Sequence, residues 1–176
     1  MNKLTGFSLY ELLITLAIVA LVMTLGMPSF ARIAADQRIR AEIDPLFHAI
    51  HLARKISITR RQVVTLCPSL DRQQCHESYD WSTGWIMFVN ADRDLPAHRD
   101  DGEPLLKVHG INPRVQIHAN RQSFTLRATE LRATNGTLVV CDRGAHAPSR
   151  ALVVSYTGRP RVSVEDRAGR PWQCPD

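Results

Sequence analysis

Near the C-terminus the run Ser155-Tyr156-Thr157-Gly158-Arg159-Pro160-Arg161-Val162-Ser163-Val164 places two guanidiniums two residues apart. In an extended backbone such residues project to the same side, roughly 6.6 Å from each other. Gly158 can take a turn conformation closed to other residues, and Pro160 fixes its own φ, so Arg159 and Arg161 are expected on a stiff hairpin. Arginine forks match phosphate oxygens in bidentate fashion, and the pair reads as a preorganised phosphate clamp. The competing explanation is two arginines that only keep an exposed hairpin soluble.

The charge distribution sharpens this reading. The net charge of +5 divides into 0 over residues 1–30, +4 over 31–61, −4 over 62–109 and +5 over 110–176. A basic C-terminal half fits a polyanionic partner, although a solvated basic face is the commoner cause of a charge excess. No base-reading element is evident, so binding to nucleic acid would be phosphate-dominated and independent of sequence.

Other chemistry is poorly supplied. Cys67, Cys75 and His76, with the scattered His48, His51, His98, His109, His118 and His146, fit no closed zinc spacing. Ser, His and Asp occur without a nucleophile elbow or other catalytic context, so no enzyme, metal or cofactor is expected. The segment Asn90-Ala91-Asp92-Arg93-Asp94 and the later Asp100-Asp101-Gly102-Glu103 hold oxygen ligands, but interposed arginines and the lack of EF-hand spacing favour a solvated loop over calcium. Trp81, Trp85 and Phe88 lie in a strand pattern and are expected in a β core rather than stacked on bases.

The elements that must position these groups follow from periodicity. Phe7 to Met27 is almost wholly apolar, and 21 residues at 1.5 Å span roughly 32 Å, enough to cross a bilayer. Only Lys3 is basic before it, unlike a secretory signal, and the positive-inside rule puts everything after Pro28 outside the cytoplasm. Helical spacing continues from Arg32 to Thr59, with Ile39, Ile43, Leu46 or Phe47, Ile50, Ala53 and Ile56 in one stripe and Arg32, Arg38, Arg40, Arg54 and Lys55 outward. Pro28 is expected to kink this helix, and Asp44-Pro45 to restart it as an N-cap and first-turn pair.

Beyond Arg61 eight short, mainly antiparallel strands are expected, over 62–67, 84–90, 105–109, 114–118, 123–127, 137–141, 151–157 and 161–165. The four cysteines, Cys67, Cys75, Cys141 and Cys174, permit three pairings, and nearness in sequence favours Cys67 with Cys75 and Cys141 with Cys174. Such bridges need an oxidising compartment outside the cytoplasm.

The stretch Gly6-Phe7-Ser8-Leu9-Tyr10-Glu11-Leu12-Leu13 resembles the processing site of type IV pilins and type II secretion pseudopilins. That resemblance implies a leader of residues 1–6, cleavage between Gly6 and Phe7 by a prepilin peptidase, and N-methylation of Phe7. It also implies that Glu11 meets the Phe7 amine of a neighbouring pilin subunit, since an intramembrane carboxylate needs a partner. Tyr10 stands where an aliphatic residue is more usual.

Residues 51–69, 75–94, 100–108, 133–144 and 151–162 are similar to the FimT/GspH-like minor pilins and pseudopilins, with Trp81-x-x-Gly84-Trp85 and Gly102-Glu103-x-Leu105-Leu106 the most specific marks. The fold class implied is α+β, type IV pilin-like: a transmembrane helix at 7–27, an amphipathic stalk at 28–61 and a two-sheet β domain at 62–176. Gly158-Arg159-Pro160-Arg161 resembles the motif through which FimT-type minor pilins of transformable bacteria bind DNA. Carried over, it makes Arg159 and Arg161 the principal contacts with double-stranded DNA, and Arg143, Arg150, Arg167 and Arg170 secondary candidates in the same basic region.

The resemblance therefore implies a minor type IV pilin that enters the inner membrane as a single-pass protein with its C-terminal domain in the periplasm. Once in the extracellular pilus it would bind DNA for uptake in natural transformation. The alternative is a structural minor pilin or type II secretion pseudopilin that primes or caps a filament without touching DNA.

Overall fold

The computed structural model describes residues 8–128 and 133–174. One helix, α1 (Leu9–Arg60), precedes eight strands: β1 (Val64–Pro68), β2 (Trp85–Val89), β3 (Leu105–His109), β4 (Val115–Ala119), β5 (Phe124–Leu126), β6 (Gly136–Asp142), β7 (Arg150–Val154) and β8 (Pro160–Ser163). Every strand expected from the periodicity is present, displaced at its ends by one to three residues at most. The strands form two antiparallel sheets, ordered β3-β2-β1-β5 and β4-β6-β7-β8.

Ser8 caps α1, its hydroxyl accepting the Glu11 N–H at 3.3 Å. Such a cap satisfies one of the amides that a helix start leaves without an intrahelical partner. The N-terminal part of α1 stands clear of the β domain, with Leu9, Leu16, Leu21 and Met27 exposed. An 18-residue window there has mean hydropathy 2.2, so this helix is long and apolar enough to cross a bilayer.

From Ala35 onward the helix turns an apolar stripe to both sheets: Ala35, Ile39, Ile43, Leu46, Ala49, Ile50 and Ala53 are buried. Spacings of three and four residues keep them on one face. Leu46 takes the core position and Phe47 packs at its margin.

Two expectations for the stalk are corrected. Asp44-Pro45 does not restart the helix, because α1 runs unbroken through Pro28 and Pro45. Pro45 removes one backbone donor, but Ile43, Leu46 and Ala49 around it are buried in the core, and that packing holds the turn helical. Arg38 does not point outward either; its Nη2 meets Asp142 Oδ1 at 2.9 Å.

Two further polar ties among the described residues join helix and β domain. Arg150 of β7 donates to Asp36 at 2.7 Å, and Asp36 also accepts from Arg40 at 2.7 Å. Glu42 accepts the Asn112 N–H at 3.0 Å and lies 2.9 Å from His109 Nε2.

Hydrogen bonds from Arg40 and then Arg150 hold the Asp36 carboxyl below its ordinary value of 3.8. Burial pushes Asp142 up, but the Arg38 guanidinium and the His146 N–H outweigh it and leave that carboxyl lowered too. Depressed carboxylates stabilise the fold above the unfolded-chain value and lose that contribution as pH falls through the folded one. Urea unfolding of the protein is therefore expected to give a flat stability from neutral pH down to about pH 5 and a decline below about pH 4. Asp142→Asn should make that decline shallower, and an equally steep decline in the variant would remove Asp142 from the account.

Both faces of β1 and β2 are buried. Trp81, Trp85 and Phe124 fill the main core under α1, with the Trp81 and Phe124 rings edge-on at 5.7 Å. On the other side Phe88, Ile86, Cys67 and Ala97 form a second cluster under the loops between strands, where Cys75 is bonded to Cys67. Gly84 of the Trp81-x-x-Gly84-Trp85 run has φ +139°, and a Cβ there would sit 2.7 Å from the His109 carbonyl. The motif is a packing device of sheet and loop.

Candidate nucleic-acid interface

The sheet β4-β6-β7-β8 presents two faces set by strand alternation. Val115, Ile117, Leu138, Val140, Leu152 and Val154 face the core. Their neighbours Gln116, His118, Thr137, Val139, Cys141, Val153 and Arg161 alternate to the outer face. The sequence after β8 folds back over this outer face because Cys174 is bonded to Cys141 of β6, and the Ser149 hydroxyl donates to the Trp172 carbonyl.

The β7–β8 turn is built by its own side chains. The Gly158 N–H donates to the Ser155 carbonyl at 2.9 Å, and the Ser155 N–H to the Arg159 carbonyl at 3.1 Å. The Ser155 hydroxyl accepts the Arg159 N–H at 3.1 Å and pairs with Thr157 Oγ1 at 2.9 Å. Gly158 is buried with φ +70°, and a Cβ would lie 2.8 Å from Leu126 Cδ1. Its part in the structure is to let the turn close against β5.

Pro160 is buried while Arg159 and Arg161 on either side are exposed, so the two arginines leave the edge strand in the same direction. Among the described residues neither has an ion-pair partner. The same holds for Arg143 and Arg167.

The secondary candidates divide. Arg167 and Arg170 lie on the loop that faces Arg161 across a cleft of about 520 Å³, whose floor includes Thr137 and Val153. Arg170 is bound to Asp166 at 2.9 Å, a carboxyl lowered by the Arg170 N–H against the opposing effect of burial. Arg143 and Arg150 sit at the far end of the sheet, since Asp142 pairs with Val115 whereas Gly136 pairs with Val154 beside the turn. Arg150 is committed to Asp36 with its side chain only 19% exposed. The basic C-terminal half is thus two surfaces, and Arg150 serves the fold.

Trp172, Tyr156, Asn120 and Asn135 also line the cleft, and sequence reasoning did not pick them out. For Trp172 the available signal was Cys174 two residues on, whose bridge to a central strand draws the tail onto the sheet.

The remaining polar clusters are turned inward. All four cysteines are in disulfides, so no thiolate is available to a metal or a nucleophilic step. Glu103 accepts the Ala91 and Asp100 N–H groups at 2.6 and 3.2 Å, and Asp94 accepts from His98 N–H and the Asn90 amide at 2.7 and 2.8 Å. These carboxylates cap the loop's own backbone. Among the described residues no three His, Cys, Asp or Glu side chains converge as a metal site. Glu11 is exposed in the first turn of α1, and Gly6 and Phe7 lie outside the described residues.

Residues 42–158 match the family model described as type II transport protein GspH. No curated protein matches the sequence. The fold is similar to that of the type IV minor pilin FimU of Pseudomonas aeruginosa in two crystal forms. One aligns with TM-score 0.51 at 19% identity, covering 70% of this chain and 91% of that one. The other aligns with TM-score 0.53 at 18% identity, covering 79% and 96%. Identity this low carries the likeness of fold and nothing finer.

Proposed function

The chain belongs to the GspH family, and from that premise we propose that it is a minor type IV pilin that binds extracellular DNA without sequence preference, for uptake in transformation. The observation that carries the reading is the pair Arg159 and Arg161, without an ion-pair partner among the described residues and directed alike from the rim of the edge strand. Arg167 adds a further cation on the facing loop. Such an array suits the phosphates of a duplex, whose charge spacing makes binding a release of counterions.

In this reading the apolar part of α1 inserts in the inner membrane with the β domain in the periplasm, and a prepilin peptidase cuts between Gly6 and Phe7. The new Phe7 amine, N-methylated, meets Glu11 of a neighbouring subunit in the filament, which relieves the cost of a carboxylate in hydrocarbon. The long helix supports this, since it leaves its apolar N-terminal part free of the chain's own core.

A filter-binding titration of a random-sequence duplex against the detergent-solubilised protein tests the proposal. Log affinity should fall linearly with log salt, with a slope of about −3 if three arginines each meet a phosphate. No binding at about 50 mM salt would favour the second reading, a pseudopilin that primes or caps a secretion filament. That reading draws on the type II transport description of the family.

A further inference from the structure

We infer that the cleft between Arg161 and Trp172 holds an unpaired nucleotide, so that single-stranded segments or frayed ends of DNA engage the protein by base stacking as well as by phosphate contact. This rests on the DNA-binding reading and names the form of DNA that the site takes best.

The cleft, about 520 Å³, falls within the ~300–1,000 Å³ usual for small-ligand sites. Its floor is the outer face of a regular sheet, where Thr137, Val153 and Arg161 lie side by side in register. Its far wall is prebuilt. Asp166 Oδ1 accepts the Ala168 and Arg170 N–H groups at 2.8 and 2.9 Å, its Oδ2 holds the Arg170 guanidinium, and Gly169 turns the loop at φ +74°. The Cys141–Cys174 bridge then fixes the chain after the loop to the sheet.

Trp172 lines this cleft and a smaller adjoining one of about 230 Å³. Its Nε1 is sealed from solvent while the residue remains partly exposed, so what it offers is ring surface rather than its N–H. Aromatic surface beside cations is the combination that binds single strands, because every base has a π-face and every link a phosphate. Within a duplex the bases stay in the stack and cannot enter a concavity, so phosphate contact at the rim is all that remains. Arg161 borders the cleft and stands on the rim, and so serves both forms, whereas Trp172 serves only the unpaired one.

The tryptophans provide the readout. Trp81 and Trp85 are 0% and 1% exposed, so quenching of tryptophan fluorescence by an added oligonucleotide reports on Trp172. With the full chain in detergent, an eight-nucleotide oligothymidylate is expected to quench the emission, and a blunt-ended duplex to bind with little quenching. Trp172→Ala should abolish the quench and weaken the oligothymidylate about 5- to 150-fold, leaving duplex affinity within about twofold. Trp172→Phe, which keeps a stacking ring, should restore most of the single-strand affinity. The inference is overturned if oligothymidylate binds without quenching, or if Trp172→Ala binds both forms as the parent does. It is equally overturned if Trp172→Phe is as weak as Trp172→Ala. Duplex binding that persists in those cases leaves the broader reading standing, and loss of all binding at low salt in the parent removes both.

Discussion

Replacing Arg159 and Arg161 together by alanine is expected to weaken duplex binding roughly 50-fold at 0.1 M salt and to reduce the salt slope by about two. The magnitude follows from counterion release. Each phosphate contact contributes about 0.9 to the slope, which between 1 M and 0.1 M salt is about eightfold in affinity, and two contacts multiply. Little of the effect should come through the fold, because both side chains are exposed and neither is tied to another described residue. The β7–β8 turn is held by Ser155, Thr157 and Gly158, all retained. Filter binding across a salt series gives the slope, and an unchanged slope with unchanged affinity would take the clamp out of the mechanism. Arg150→Ala makes the contrast, since its guanidinium is spent on Asp36. It should lower stability and leave the salt slope where it was.

The second large effect is on stability. Replacing both Cys141 and Cys174 by serine removes a closure across 33 positions. The chain-entropy model puts the loss near 4 kcal/mol as an upper figure, against about 2.5 for the eight-position Cys67–Cys75 bridge. Urea unfolding under non-reducing conditions is the measurement, and a loss below about 1 kcal/mol would mean that the unfolded chain gains little freedom when the bridge is cut. The consequence for binding is separable. The tail that forms the cleft wall leaves the sheet, so single-strand affinity should fall while the Arg159 and Arg161 rim keeps most of its hold on duplex.

Much of the fold was legible in the sequence, because periodicity encodes burial. The spacing of Ile39, Ile43, Ile50 and Ala53 gave the helix face, and alternation bounded by turn residues gave all eight strands. What escaped was tertiary in origin. Asp44-Pro45 carries a strong local signal for a helix start, and the buried neighbours Ile43 and Leu46 override it. Arg38 and Arg150 look like solvated cations until Asp142 and Asp36, 104 and 114 positions away, are brought beside them.

The candidate site was read in part for the same reason. The direction of Arg159 and Arg161 is a matter of local strand geometry, and the turn at Gly158 a matter of local conformation. The cleft depends on where the tail lies, and only the bridge from Cys174 to a strand in the middle of a sheet decides that.

Cys141 and Asp142 are consecutive on β6, and alternation sends them to opposite faces: one holds the tail through Cys174, the other holds α1 through Arg38. Viewed as mechanics, this is a line of traction. A pull on a strand lodged against Trp172 would, without the bridge, peel β8 from β7 one hydrogen bond at a time from the sheet edge. With it, tension bypasses the edge, enters an interior strand through a covalent bond, and leaves one residue later toward the helix that would anchor the subunit in its filament. In a subunit anchored by its helix, that route would carry load from the tail to the stalk without opening the sheet.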